Sequence, residues 1–323
     1  NRTVVIKEHW PDPLCQRSAA TLDLEPTPGA DTEEYRWALS NFLREVRLLA
    51  TLDHPHIVRV FTFFEAHNTA YYVTEHIDGP SLADVAAEYR QHLGHIPQPP
   101  LYGLMVRMLD ALDYLHTRSI LHLDIKPDNI LITRNGCPVL IDFGTARAII
   151  SERSATLVGS PGYSPIEQMR AHGKRGPWTD IYSLGATCYR LITGKNPPEA
   201  FDRVDEDDDP LRPLSQRAEL IRRFSPAFLA TVDRALAIRG KDRWQTTDEW
   251  LAALPAPPVR TKTRTAQPVP HPATVSVTSI GTTSISIAPE PAPRKRPHKA
   301  LIVGAIITLV LALAVPGVYF LYE

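Results

Sequence analysis

His122-Leu123-Asp124-Ile125-Lys126-Pro127-Asp128-Asn129 brings an Asp, a Lys two positions on and an Asn five positions on into one short segment. Phosphoryl transfer needs such a set: an acceptor for a hydroxyl proton, a cation for the moving phosphate, and a side-chain oxygen for a metal. Thirteen residues after Asn129 stands Asp142-Phe143-Gly144, preceded by the apolar run Val139-Leu140-Ile141. A strand that delivers an Asp into a Gly turn predicts a second metal ligand. Upstream, apolar residues at 101, 104, 105, 108, 109, 112 and 115 predict an amphipathic helix leading straight into the loop.

Asp124, Lys126 and Asn129, together with Asp142-Phe143-Gly144 at this distance, resemble the protein kinase family, specifically bacterial Ser/Thr kinases of the eukaryotic type. The resemblance covers residues 1–254. It implies an α+β, two-lobed fold, with a small β-rich lobe over residues 1–75 and a helical lobe over 76–254. It also implies ATP and Mg²⁺ as cofactors. Asp124 would be the base that orients the substrate hydroxyl and Lys126 the cation on the transferred group, with Asn129 and Asp142 holding Mg²⁺. Val4-Val5-Ile6-Lys7 matches the family's V-A-I-K and makes Lys7 the residue that holds the α- and β-phosphates; a solvated Lys ending a strand is the competing reading. A helix from Ser40, as N-cap, to Leu52 carries Phe42, Val46, Leu49 and Leu52 on one face with Glu45 among them. The resemblance pairs Glu45 with Lys7; the alternative is a Glu at the stripe's edge reaching water. Glu75-His76-Ile77-Asp78-Gly79 looks like the hinge between lobes, where backbone groups at Glu75 and Ile77 would bind adenine and Thr74 would guard the pocket behind.

Two positions depart from the family pattern. Only six residues precede Lys7, so the Gly-rich loop that covers the phosphates is missing from this chain, which begins without Met and need not start where the natural protein starts. Leu123 stands where the family usually has Arg, a residue that pairs with phosphate on the activation segment. Activity is therefore expected to depend little on phosphorylation of that segment, or to use Arg147 or Arg153 instead. The segment itself runs from Asp142 to Glu167. Ser160 matches the hydroxyl that contacts the catalytic Asp and Lys, and Glu167 is expected to pair with Arg243.

Elsewhere, residues 8–39 read as an irregular surface insertion, and Ile57–Phe64 and Ala70–Thr74 as strands around a turn at His67-Asn68. The stretch from Asp180 to Gly194 reads as a buried helix whose Asp180 anchors the loop. Helices over Phe228–Ile238 and Thr247–Leu254 close the domain. Asp205 to Asp209 reads as a solvated acidic loop, with docking of basic substrates as the alternative.

Composition changes at Pro255. Residues 255–299 are rich in Pro, Ser and Thr and predict a flexible tether ending in the basic cluster Arg294-Lys295-Arg296-Pro297-His298-Lys299. Residues 300–322 are uncharged and, as a helix of about 34 Å, long enough to cross a hydrocarbon core. The competing reading is a buried soluble helix. Basic residues on its N-terminal side place the kinase domain in the cytoplasm of a single-pass membrane protein. Three cysteines without a C-x-x-C pair exclude a disulfide framework or zinc site, and a net charge of −1 gives no case for nucleic acid.

The function expected is transfer of the ATP γ-phosphate to Ser/Thr hydroxyls of protein substrates at a membrane, with self-association and autophosphorylation on the hydroxyl-rich tether. The alternatives are a kinase-like scaffold without turnover, and a small-molecule kinase sharing the fold.

Overall fold

The β-branched run near the N-terminus forms β1 (Val4–Glu8), which brings Lys7 to the sheet. A short hairpin follows, β2 (Cys15–Arg17) and β3 (Leu24–Pro26), and then α1 (Thr32–Leu49). Strands β4 (Val60–Ala66) and β5 (Thr69–Glu75) complete the small lobe's sheet, with β5 between β1 and β4 and both pairings antiparallel. Their connection is the two-residue turn His67-Asn68, both at positive φ (51° and 55°), the conformation whose twist suits a tight hairpin. The computed structural model describes residues 2–12, 14–143, 147–148, 159–170, 172–205, 209–255 and 319–320.

Two expectations are corrected here. Residues 8–39 are not irregular: they hold the β2–β3 hairpin and the first two turns of α1. The helix starts at Thr32, not Ser40, because Asp31 caps it, its carboxylate accepting from the Glu33 N–H at 2.8 Å, and Glu33 and Glu34 favour the first turn's dipole. Cys15, Leu24 and Tyr35 make a small core of their own between hairpin and helix.

The large lobe runs α2 (Leu82–Leu93), α3 (Gln98–His116), β6 (Ile120–Leu121), β7 (Ile130–Ile132), β8 (Pro138–Leu140), β9 (Arg147–Ala148) and α4 (Pro177–Thr193). The short α5 (Asp202–Asp205) and α6 (Ala218–Ile221), then α7 (Pro226–Ala235) and α8 (Thr247–Ala253), follow. All seven apolar positions that predict α3 are buried. Helix α4 is buried nearly all round, as its uniform apolarity requires, and Gly194 stops it at φ +82°. β7 pairs with β8 and β6 with β9, so the loop 122–129 is held between two small ribbons resting on α3 and α4.

The lobes join where Leu140 exchanges backbone bonds with His56 and Val58, at 2.9 Å each. Gly79 marks the chain's passage from β5 to α2: a Cβ there would meet the Ile132 carbonyl oxygen at 1.9 Å, so only glycine lets the hinge lie against β7.

The tether beyond Pro255 and the expected span 300–322 lie outside the described residues, except Tyr319–Phe320, a two-residue strand (β10) paired antiparallel with Val5 and Ile6. Among the described residues no helix is long and apolar enough to cross a membrane.

Candidate active site

The loop after β6 is anchored from beneath. Asp180, on the first turns of α4 and fully buried, accepts the His122 N–H at 3.0 Å and the Leu123 N–H at 2.8 Å, while His116 Nε2 lies 2.9 Å from its Oδ2. Burial alone would raise this carboxyl. The hydrogen bond and charge of His116 and the Leu123 N–H outweigh it and hold Asp180 below the usual carboxylate range. From the other side Gln168 donates to the Leu123 carbonyl at 2.6 Å. Leu123 is thereby fixed at φ +65°, a region a leucine adopts only when its surroundings dictate it. Its side chain is buried, where an Arg would need a partner for its charge.

That strained turn presents Asp124. Its carboxylate gathers three donors: Lys126 Nζ at 3.1 and 2.9 Å, Asn129 Nδ2 at 2.7 Å and Ser160 Oγ at 2.6 Å. Lys126 also donates to Ser160 Oγ at 2.9 Å, and Asn129 to the Asp124 carbonyl at 2.8 Å. Residues 36 positions apart in sequence thus close one network around a single carboxylate. The side chain is 18% exposed, open enough to meet an incoming hydroxyl.

Across the cleft, Asp142 also lies at positive φ (62°), and Phe143 behind it is buried edge-on against His122, ring centres 4.6 Å apart. The bend aims the Asp142 carboxylate at β1, where Lys7 Nζ lies 2.8 Å from its Oδ1. Lys7 faces Tyr72 directly across the β1–β5 ladder. The buried Tyr72 phenol is pushed above its ordinary range by burial first, then by the negative charges of Asp142 and Glu45. Lys7, Asp142 and Glu45 therefore share one neighbourhood. Glu45 is half-buried on α1, on the flank next to the buried Val46 and Leu49. The hinge residues stand apart from these charges. Glu75 ends β5, its N–H bonded to the Arg59 carbonyl and its carboxylate to Arg2 at 2.9 Å, and the partly buried Ile77 packs on the main core.

Asn129 and Asp142 offer hard oxygen donors, which suit Mg²⁺. Among the described residues no group of three or more His, Cys, Asp or Glu could hold a metal by itself. A cation here would draw its remaining ligands from phosphate oxygens and water, as Mg²⁺ commonly does.

Further along, Arg243 is fully buried and grips Glu167 through Nη1–Oε1 at 2.7 Å and Nη2–Oε2 at 3.3 Å. Sequence reasoning missed Gln168, His116 and Tyr72. Each acts through a contact distant in sequence, and no local spacing flags it. Arg153 and half of the activation segment lie outside the described residues. Arg147 is placed by its backbone alone, opposite Leu121.

A small lobe of five strands and one helix over a helical lobe, with this loop between them, defines a protein kinase fold. A model of the protein kinase domain matches residues 29–251, and the chain belongs to that family. It is 33% identical over 231 residues to the serine/threonine-protein kinase PknA of Nostoc sp., covering 68% of this chain and 39% of that protein. It is 35% identical over 228 residues to PknB of Mycobacterium leprae, covering 66% and 35%. The chain thus spans well under half the length of these bacterial relatives. The solved PpkA-294 apo form superposes with a TM-score of 0.66 at 36% identity, over 79% of this chain and 88% of that one.

Proposed function

We propose that this chain is a Ser/Thr protein kinase that transfers the γ-phosphate of ATP to hydroxyls of protein substrates, its domain filling residues 1–254. The observation that carries the proposal is the Asp124–Lys126–Asn129–Ser160 network, which gathers a proton acceptor, a cation and a metal-ligand amide around one point.

Asp124 accepts the hydroxyl proton while Lys126, already beside it, neutralises charge on the transferred group. Ser160 and Lys126 hold the carboxylate so that it need not reorganise during the step. Lys7 binds the α- and β-phosphates with Glu45 as its support, and the backbone at Glu75 and Ile77 binds adenine. Asn129 and Asp142 hold Mg²⁺. Bound ATP·Mg²⁺ supplies the transferable phosphoryl group and neutralises phosphate charge. The protein's contribution is positioning and electrostatics, which is how this class of reaction is generally catalysed.

The substrate class follows from Lys126 two residues after Asp124 and from the Ser- and Thr-specific relatives. The domain works on the cytoplasmic side of a membrane, tethered through residues 255–299 to a span at 300–322; a chain so inserted gives up the pairing of Tyr319–Phe320 with β1. That reading is supported by the uncharged 23-residue stretch and the basic cluster before it. Self-association would allow autophosphorylation on the tether.

The test is radiolabelled phosphate transfer from ATP·Mg²⁺ to protein Ser/Thr acceptors beside small hydroxylated acceptors such as aminoglycosides. Label on protein alone is expected. Label on the small acceptors alone would reverse the substrate class, and partitioning of the full chain away from membranes would remove the tether.

A further inference from the structure

Beside the end of the activation segment lies a cavity of about 670 Å³ whose charge is one-sided. Arg170, Lys174, Arg239 and Lys241 line it and are exposed, and among the described residues none of the four has a carboxylate partner. The other ionic groups in the wall are already matched. Glu167 is held by buried Arg243, and buried Arg203 by Asp209, through Nη2–Oδ2 at 2.7 Å and Nε–Oδ1 at 2.9 Å. Among the described residues that leaves four cations without a carboxylate partner, beside the apolar side chains of Trp178 and Ile238.

We infer that this cavity is a docking site for an acidic peptide segment, carrying carboxylate or phosphorylated side chains, of the kinase's protein substrate. The inference rests on the proposed kinase reading and adds a substrate preference to it. Three features carry it. The cavity lies within the size range of ligand sites and combines apolar walls with convergent polar groups. Its uncompensated charge is costly to hold in a concavity and is relieved by an anionic partner. Its wall is also continuous with the acceptor site. Ile166 and Glu167 line it, Gln168 bonds Leu123 beside Asp124, and Ser160 touches Asp124 itself.

Glu167 lies seven positions after Ser160, so even fully extended the path is roughly 23 Å. Acidic side chains within about seven positions of the acceptor would reach the cavity. A concave site suits a peptide better than an anionic membrane, which needs a convex surface to press against. The alternative read from the sequence, basic substrates docking on the acidic run 205–209, has the opposite sign. Asp209 of that run is spent on Arg203.

The test uses the full chain with its acidic run in place, and its Asp124→Asn form, so that binding and transfer are read separately. Fluorescence anisotropy would follow labelled Ser peptides flanked by Glu, by phosphoserine or by Gln. The Glu and phosphoserine peptides are expected to bind at least tenfold tighter than the Gln peptide, and to weaken as salt is raised. In Arg239→Glu/Lys241→Glu, or in the milder Arg170→Gln/Lys174→Gln should the first fail to fold, that preference should fall about tenfold. In the active chain the same preference should show in KM. Equal binding of acidic and Gln peptides, or a preference unmoved by both double variants, would overturn the docking site. So would binding to anionic vesicles, in place of the peptides, that either double variant abolishes. Acidic binding without phosphate transfer to any peptide would leave the docking site standing and sink the kinase reading instead.

Discussion

Lys7 and Asp142 meet at 2.8 Å across the boundary between the two lobes. One sits on β1 of the small sheet, the other on a left-handed bend just past β8 of the large lobe. The two side chains are 22% and 45% exposed, so water screens the pair and its share of stability is small, on the order of 0–1 kcal/mol. A cation and a carboxylate left half-wet in a cleft, one of them on a strained backbone, are better explained by a ligand than by the fold.

Lys7→Ala should therefore leave the melting temperature within about 2 °C of wild type while phosphate transfer falls about 10²-fold or more, read by thermal unfolding beside a kinase assay. A large loss of stability with activity retained would make Lys7 structural.

Asp180→Asn should cost stability as well as activity. It uncouples a fully buried carboxylate from His116 and weakens its hold on two backbone N–H groups, a change worth about 3 kcal/mol or more. Chemical denaturation should show that loss, with activity falling along with it because Leu123 and Asp124 lose their support.

Leu123 is buried and carries no charge to pair with a phosphate. Replacing Ser151, Ser154 and Thr156 together by Ala should leave most of the transfer rate. Loss of all activity in the triple variant, with folding intact, would show that loop phosphates act through other cations.

His9 gives a pH dependence. Its ring packs at a 34° tilt against Phe42 with centres 4.6 Å apart, its Nε2 is buried without a hydrogen-bond partner among the described residues, and burial lowers its pKa from 6.5 to about 4. Between these values the unfolded chain binds a proton that the folded chain does not. The His9 contribution is thus whole above pH 6.5 and is lost as pH falls toward 4, about 2 kcal/mol of it by pH 5. Urea unfolding at pH 7 and pH 5 should show that loss in wild type and a smaller one in His9→Phe, which keeps an aromatic ring against Phe42. Equal losses in both would place the titration elsewhere.

Much of the large lobe could be read from the sequence because its signals are local. The spacing from Asp124 to Asn129 sits in one turn, the α3 stripe repeats over four turns, and Gly194 ends α4 where a left-handed residue was needed. The small lobe was harder. Strands of three residues, as in β2 and β3, are too short for an alternating pattern to show. The first turns of α1, Thr-Glu-Glu-Tyr-Arg-Trp, bury only Tyr35, and its cap Asp31 follows Pro28 and Gly29, which look like loop. What makes that stretch regular is tertiary: the Tyr35 hydroxyl donates to the Asn68 carbonyl, and Arg17 pairs with Glu8, which also accepts from Tyr71. In the candidate site the residue types were legible, and the family resemblance supplied the contacts of Ser160, Asp180 and Glu167; those of Lys7 with Asp142 and of Gln168 with Leu123 were not legible. Nothing near Lys7 in sequence announces Asp142, and nothing near Leu123 announces Gln168.

The most direct test of the account is single-turnover phosphate transfer from ATP·Mg²⁺ by the full chain and by its Asp124→Asn form, with nucleotide binding measured on both. The account predicts that both bind nucleotide alike while the variant transfers about 10²–10⁴-fold more slowly. Equal transfer rates, or no transfer by the wild-type chain despite tight nucleotide binding, would contradict it.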